Sequence, residues 1–537
     1  LLLHLRYGPD PVRLAQASKL IEAYVDNPAP HVRRVLGLAL LSSPARASES
    51  LTWFGDDPRS QLYRAWALQM AKDPAQARVA AQAALAARPG DKAAALTLAE
   101  LELETNPEAA LTRLRTIVGQ EPDQITAKSA LLRATREQGL LAEAAQIGNS
   151  LTAVSVSAGY KAELLRTRAS IALEQGNVAE AQRLIEQAIA SDEQGVGPRL
   201  DKIALALSLR DSAGARSESE LLLRQRPQDR DVLEAAVRVA IAAGREDDAQ
   251  THLLALGGPE STDAKVHALY GEMKALLLDI EGARQAWAKA RELDPLLSST
   301  VTNEVALLLK VQQPDQALAL LDEQKAKLAA REDQSVAARA ARATLERTRA
   351  LLLRSQGKPG PALTAAEEAV TLDPRDNRSR LLRAELLGAV GNIPASEEAL
   401  AELHQRTGGF PGLTEPLGRM LLRKGKLDEL DALIGSQLEA SEASVEILMT
   451  GATLRLAQNK PDQAKVLAQR VLDRDSGQTR AHLVLGRALL AEGEYRAALD
   501  EIEAAQTREG DPEAELWLGQ ALEYNARSVD ARAHYKK

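Results

Sequence analysis

The sequence contains no cysteine and only 14 aromatic residues, four Trp, eight Tyr and two Phe, in 537 positions. The first absence excludes disulfides, thiolate zinc sites and cysteine nucleophiles, and in so long a chain it leans towards an oxidising compartment, where a stray thiol is a hazard. The second leaves a 45% hydrophobic content to Ala, Leu, Val and Ile, which suits closely packed helices separated by thin layers of side chains. Gly and Pro, at 33 and 23, are too few for a collagenous chain, and 26% charge with a net of −8 does not describe a disordered one. No run approaches the 18 consecutive apolar residues of a membrane helix, so no transmembrane segment is expected. Acids outnumber bases, 75 to 67, with no basic tract of five or more, so nucleic acid is not an expected partner.

Signatures of catalysis are missing as well. The seven His residues lie at least 15 positions apart, too far for a helical metal pair. Gly357-Lys358 runs into Pro359 and Gly425-Lys426 into Leu427, so neither opens a phosphate-binding loop, and Gly195-Val196-Gly197-Pro198 lacks the third glycine of a dinucleotide loop. A GxSxG elbow is absent. The expectation is a chain without enzymatic activity, cofactor or metal.

What the sequence does contain is a beat. From Gln478 to Gly510 the pattern runs Leu485-Gly486, Leu489, a turn at Gly493-Glu494, then Ala498, Ile502 and Ala505, and the next stretch repeats it with Leu518-Gly519, Leu522, Ala531 and Tyr535. Taking the small residue of the second half as a ruler gives Ala77, Ala110, Ala144, Ala181, Ala215, Ala249, Ala283, Ala317, Ala362, Ser396, Leu430, Ala464, Ala498 and Ala531. Most steps are 34 residues, and the exceptions are 33, 37 and 45. Each repeat reads as two helices with apolar residues at i, i+3, i+4 and i+7. A turn such as Gly176-Asn177 joins them, its glycine taking the left-handed backbone that ends the first helix. No repeat can bury its apolar face alone, so neighbours must stack.

This spacing, the Leu-Gly pair, the paired alanines and the closing proline at Pro295 or Pro374 resemble the tetratricopeptide repeat, over about fifteen repeats from Asn27 to the end of the sequence. The resemblance implies an all-α fold, a right-handed superhelical solenoid of antiparallel helix pairs. The expected organisation is a partial repeat over 1–26, a first array over 27–322, an elongated helical insertion over 323–349 and a second array over 350–537. The insertion, 11 residues beyond the common step, reads either as two lengthened helices or as a protruding hairpin. Residues from Ser150 to Gly159 read as a longer loop. Thr407-Gly408-Gly409-Phe410-Pro411-Gly412, odd in composition but regular in spacing, reads as an ordinary inter-repeat turn. Leu1 to Arg6 shows no initiator Met or signal pattern, and Tyr535-Lys536-Lys537 stops inside a helical pattern without a cap, so further chain is expected on both sides.

The resemblance also implies that the first helix of each pair lines a concave groove, with ligand contacts from the second, fifth, ninth, twelfth and thirteenth positions. That frame selects Arg133, Arg136, Arg166 and Arg238 early. Later it selects Arg347, Arg354, Arg378, Arg419, Arg423, Arg480 and Arg487, the candidate partner-binding residues. Their planar forks suit carboxylates, so an acidic segment of a protein partner is one reading; the other pairs these arginines with the chain's own Glu102, Glu385 or Glu415. Chaperone-tail recognition is not expected, because the Lys and Asn of that clamp are replaced by pairs such as Ala268 and Glu272 or Leu483 and Arg487. Sugar is disfavoured, since the frame places few aromatics beyond Trp66 and Tyr524 in the groove. With 48 Arg against 19 Lys the composition is similar to that of a GC-rich bacterial genome. Long bacterial arrays of this kind resemble the periplasmic arm of exopolysaccharide secretion systems, or else the cytoplasmic scaffold of motility or pilus machines that acts as effector of a small Ras-like GTPase. The periplasmic, cell-envelope scaffold is the leading expectation.

Overall fold

A computed structural model describes Lys19 and residues 29–41, 44–151, 157–438, 443–505 and 512–536. Every regular element among them is a helix, and none is a strand. The chain forms two compact blocks, Leu1–Ile171 and Ala172–Lys537. The expected partial repeat over 1–26 lies, apart from Lys19, outside the described residues, as do residues 152–156 of the expected long loop.

One helix pair shows how the sequence builds all of them. Ala264–Leu276 starts at Asp263, whose carboxylate accepts from the Lys265 N–H, and Ile280–Leu293 starts at Asp279, which accepts from the Gly282 N–H at 2.9 Å. Each cap satisfies an amide that the helix itself leaves unpaired. Between the helices a single residue, Leu278, turns the chain with φ +59°. The same device recurs five residues before almost every ruler position: Gly139, Gly176, Gly244, Gly357, Gly391, Gly425 and Gly493 take it without penalty, and Lys72, Arg210, Leu278, Gln312, Asn459 and Ala526 take it despite a Cβ. Tertiary stacking therefore enforces a turn that glycine prefers. Leu278→Gly should stabilise the protein by about 0.5–1 kcal/mol: the left-handed cost of roughly 1–2 kcal/mol disappears, less roughly 0.4–1 kcal/mol of added freedom in the unfolded chain. The check is a higher urea midpoint; a midpoint equal to or below that of the wild type would refute it.

All fourteen ruler residues lie on second helices and are buried, most of them completely. Ser396, the polar one, donates from Oγ to the Ala384 carbonyl at 2.7 Å, which satisfies its hydroxyl. The small residue of the first helix does a matching job: a Cβ at Gly271, Gly486 or Gly519 would fall into Trp287, Ile502 or Tyr535 of the paired second helix. Trp287 is completely buried, with its indole N–H donating to the Ala268 carbonyl at 3.2 Å.

Charge also fixes the register of neighbouring repeats. Glu304, nearly inaccessible, meets Arg284 at 3.0 Å and Arg291 at 2.8 Å from the preceding second helix. Glu346 meets Lys325 at 2.8 Å in the same way. A buried carboxylate is tolerable only with such partners. Two long helices, Pro314–Ala329 and Val336–Ser355, of 16 and 20 residues, follow one another across the stretch where the beat lengthens, and Leu328, Ala338 and Ala341 at their ends are buried.

Candidate interaction surface

Within the second block, most first helices pack on the first helix of the next repeat: Val196–Ser208 on Arg230–Ala242, Arg230–Ala242 on Ala264–Leu276, and likewise Val445–Ala457 on Thr479–Glu492. Second helices make no comparable contact with one another among the described residues. Elements that crowd together on one side and spread on the other define curvature, and the crowded first helices lie on its inside. The inner surface is therefore built from first helices, and the arginines that the repeat frame selects lie on first helices, Arg133, Arg136 and Arg166 in the first block and the others in the second.

Those arginines differ in how far they are already engaged. Arg347 is mostly buried and pairs with Asp376, the residue that caps the helix Asn377–Ala389, so it joins two repeats. Arg487 is also mostly buried: it pairs with Glu513 at 2.8 Å and lies over the Trp517 ring at 4.5 Å, and burial, despite Glu513, lowers its pKa. Both belong to the stacking of the array. Arg354 pairs with Glu385 at 2.6 Å, Arg423 with Glu397 at 3.0 Å, and Arg419 and Arg480 share Glu415. Side chains of these four are about half exposed. Arg378 is exposed and has no carboxylate partner among the described residues; only its backbone N–H is engaged, by Asp376 at 3.1 Å. Of the earlier set, Arg133 pairs with Glu100 at 2.6 Å and Arg166 with Glu163 at 2.9 Å. Arg136 donates to Ser170 at 2.6 Å, and Arg238 is exposed.

The first helices also carry acids, and Glu446 is one that the sequence frame passed over. Glu272 is raised in pKa by burial, against the nearby charge of Arg238 and an Asn303 amide donating at 3.3 Å. Glu446 reaches back one repeat and accepts the Glu415 N–H at 3.0 Å, capping a helix whose own N-cap, Leu413, has no side-chain acceptor. Folding the sequence on its 34-residue period would have exposed these partners, since the acid lies 31 residues from its arginine in Arg354–Glu385 and 33 in Arg133–Glu100. Trp66 does not offer a face to a ligand: it is buried, with Nε1 donating to Thr97 at 2.8 Å. Tyr524 is exposed but stacks on Tyr495 at 4.7 Å. No cluster of three or more His, Asp or Glu able to hold a metal occurs among the described residues, and no described helix is long and apolar enough to cross a membrane.

Residues 455–522, which contain the first helix Thr479–Glu492, the second helices on either side of it and parts of the two neighbouring first helices, match the family model of the tetratricopeptide repeat. The fold is an all-helical array of the tetratricopeptide-repeat kind. No curated protein matches its sequence. Among solved structures the array is similar to a tetratricopeptide repeat protein from Parabacteroides merdae, at 17% identity and TM-score 0.39 over 45% of this chain and 94% of that one. It is also similar to the APC/C hetero-tetramer Cut9-Hcn1, at 13% identity and TM-score 0.41 over 89% and 92% of the two chains. Yeast Tom70 is a third, at 15% identity and TM-score 0.39 over 86% and 99%. None of these overlaps bears on the partner of this array.

The array's last repeats carry a titratable lock. His482 on a first helix donates from Nδ1 to Glu501 of the paired second helix at 2.6 Å and from Nε2 to the Ser476 carbonyl at 3.0 Å. In the neighbouring repeat the residue types are exchanged, with His534 Nδ1 at 2.5 Å from Glu515. Burial alone would lower His482, but the hydrogen bonds to Glu501 and Ser476 and the Glu501 charge outweigh it and raise its pKa. Because the folded pKa is the higher one, the stabilisation is full below the unfolded value of about 6.5 and is lost as pH rises through the folded value. Corrected for the intrinsic rise of amide exchange with pH, opening over 479–505 should therefore increase as the pH rises above about 6.5, and His482→Gln should flatten that dependence. A profile unchanged by the substitution would remove His482 as its cause.

Proposed function

We propose that this array is a non-enzymatic scaffold that holds protein partners on the inner surface of its second block, and that it works in the bacterial cell envelope as the periplasmic arm of an exopolysaccharide secretion system. The observation that carries the reading is the state of the inner-surface cations. Arg354, Arg419, Arg423 and Arg480 are about half exposed, and Glu385 and Glu415, which hold three of them, are themselves about a third exposed. Ion pairs of that kind are worth only about 0–1 kcal/mol, so an acidic segment of a partner can replace the chain's own glutamates at little cost. Arg378 needs no such exchange. The compartment reading is supported by the absence of cysteine from all 537 residues.

Two measurements test the two halves of the proposal. Fractionation of the source bacterium should find the protein with the periplasmic and envelope fractions, and exclusive recovery from the cytoplasm would overturn the secretion-arm reading. Affinity capture should return a protein whose binding to the array weakens with salt, because exposed ion pairs are screened. Binding indifferent to salt would move the contact away from the arginines.

A further inference from the structure

The segment Thr407 to Gly412 keeps the beat of the array while departing from its composition, and neither the inner surface nor its arginines use it. In the second block it lies against the turn Gln175-Gly176, 232 positions earlier. Gln175 Nε2 donates to the Thr407 carbonyl at 2.7 Å, and Pro411 lies 3.6 Å from where a Cβ of Gly176 would stand, at ordinary contact distance. The Thr407 hydroxyl is itself tied to the Leu403 carbonyl at 2.8 Å, which fixes the end of the helix Ile393–Thr407. At 34 residues per repeat, the 232 positions amount to about seven repeats. Packing in a repeat array otherwise runs between near neighbours, so this contact is of a different kind.

The glycines show that the approach is built into the sequence. Gly408 and Gly412 have φ of +70° and +79°, where glycine is favoured for backbone reasons. Gly409 has no such φ, yet a Cβ on it would sit 3.1 Å from the Gln175 carbonyl oxygen and 4.0 Å from the Gln175 Cβ. Its small size serves the approach of the distant turn and nothing in its own loop. Gln175, Gly176, Phe410, Pro411 and Glu446 line a cavity of about 60 Å³ beside the contact. That is space for a few waters and too little for a drug-sized ligand, so the junction is not a small-molecule pocket.

We propose that Gln175-Gly176 and Thr407–Pro411 form a latch that closes one superhelical turn of the second block. Closed, it joins repeats about seven apart and makes them open and close together; the inner surface is then reached by an extended segment entering along the axis. Open, the same surface is reached from the side by a folded partner. One neutral hydrogen bond and a proline contact are weak enough to release without unfolding any repeat. The latch rests on these contacts alone and stands whether or not the inner surface is the binding site.

The cysteine-free sequence makes the test clean. In the double variant Gln175→Cys with Gly409→Cys, the Cβ separation of 4.0 Å falls within the range of about 3.5–4.5 Å that a disulfide spans. Mild oxidation of the full chain should give an intramolecular disulfide in nearly every molecule, read as loss of free thiol at unchanged helical circular dichroism, while each single variant stays reduced. Two free thiols after oxidation of a folded double variant would overturn the latch. A gentler variant covers the case in which the double one does not fold: Gln175→Ala should speed amide exchange severalfold over 407–413 and leave 479–505 unchanged. Equal exchange over 407–413 in variant and wild type would also overturn it.

Discussion

Gly271→Leu is expected to unhinge one repeat of the array and to leave distant repeats intact. A Cβ alone at this position falls into the indole of Trp287, which is completely buried and already tied to the Ala268 carbonyl at 3.2 Å. The ring has no free volume to retreat into, because Ala283 and Ala290 on the same helix are fully buried beside it. Overpacking a well-filled core typically costs about 1–3 kcal/mol, and a leucine aimed at an aromatic ring held by its own hydrogen bond belongs at the upper end. In a repeat array the loss should appear as local opening. Amide exchange should rise by one to two orders of magnitude across Ala264–Leu276, Ile280–Leu293 and the helices that touch them, while Thr479–Glu492 keeps its protection. A uniform loss over the whole second block would show one global core instead.

The second large effect concerns binding. Arg378 and Arg480 lie on first helices of the second block, both are exposed, and neither is needed to hold the fold: Arg378 has no carboxylate partner among the described residues, and Arg480 shares Glu415 with Arg419. Converting both to Glu places two like charges against an acidic segment, and like-charge juxtaposition costs several kcal/mol. The double variant should bind the captured partner more than about tenfold more weakly, with helical content and the urea midpoint within error of wild type. Arg487 is the wrong residue for this experiment. It stacks on Trp517 and pairs with Glu513 in a mostly buried setting, so a charge reversal there would damage stacking and binding together.

Much of the fold can be read from the sequence, because a repeat displays its restraints many times over. The ruler residue is Ala in all but two of fourteen repeats, and the structure buries every one of them. The left-handed turn was visible where glycine marks it and invisible at Lys72, Arg210, Leu278 or Gln312, where stacking on both sides overrides the preference of a single residue. The inner-surface arginines could be found by their place in the repeat, but not their state. Arg354 meets Glu385, 31 positions on and one of the partners that the sequence suggests, whereas Arg423 meets Glu397, 26 back, a pair that the sequence does not single out. Gln175 against Thr407 was further out of reach. No periodic argument joins residues 232 apart, and the one trace of it in the sequence was an unexplained glycine at Gly409.

Nearest-neighbour stacking and the latch make different demands on the same molecule. Stacking lets each repeat respond to its own substitutions, whereas a closed turn ties the repeats between Gln175 and Thr407 into one cooperative piece. Gly271 lies inside that piece. Its leucine variant should therefore also loosen 407–413 slightly, through the latch, before it affects any repeat beyond Val445.

The central claim is that the inner surface of the second block holds a protein partner through its exposed arginines. It is tested most directly by titrating the captured partner against wild type and against Arg378→Glu with Arg480→Glu, each at a low and a high salt concentration. The account predicts tight, salt-sensitive binding by the wild type and binding weaker by more than about tenfold, with little salt dependence left, by the variant. Equal affinities for the two proteins at both salt concentrations would contradict it.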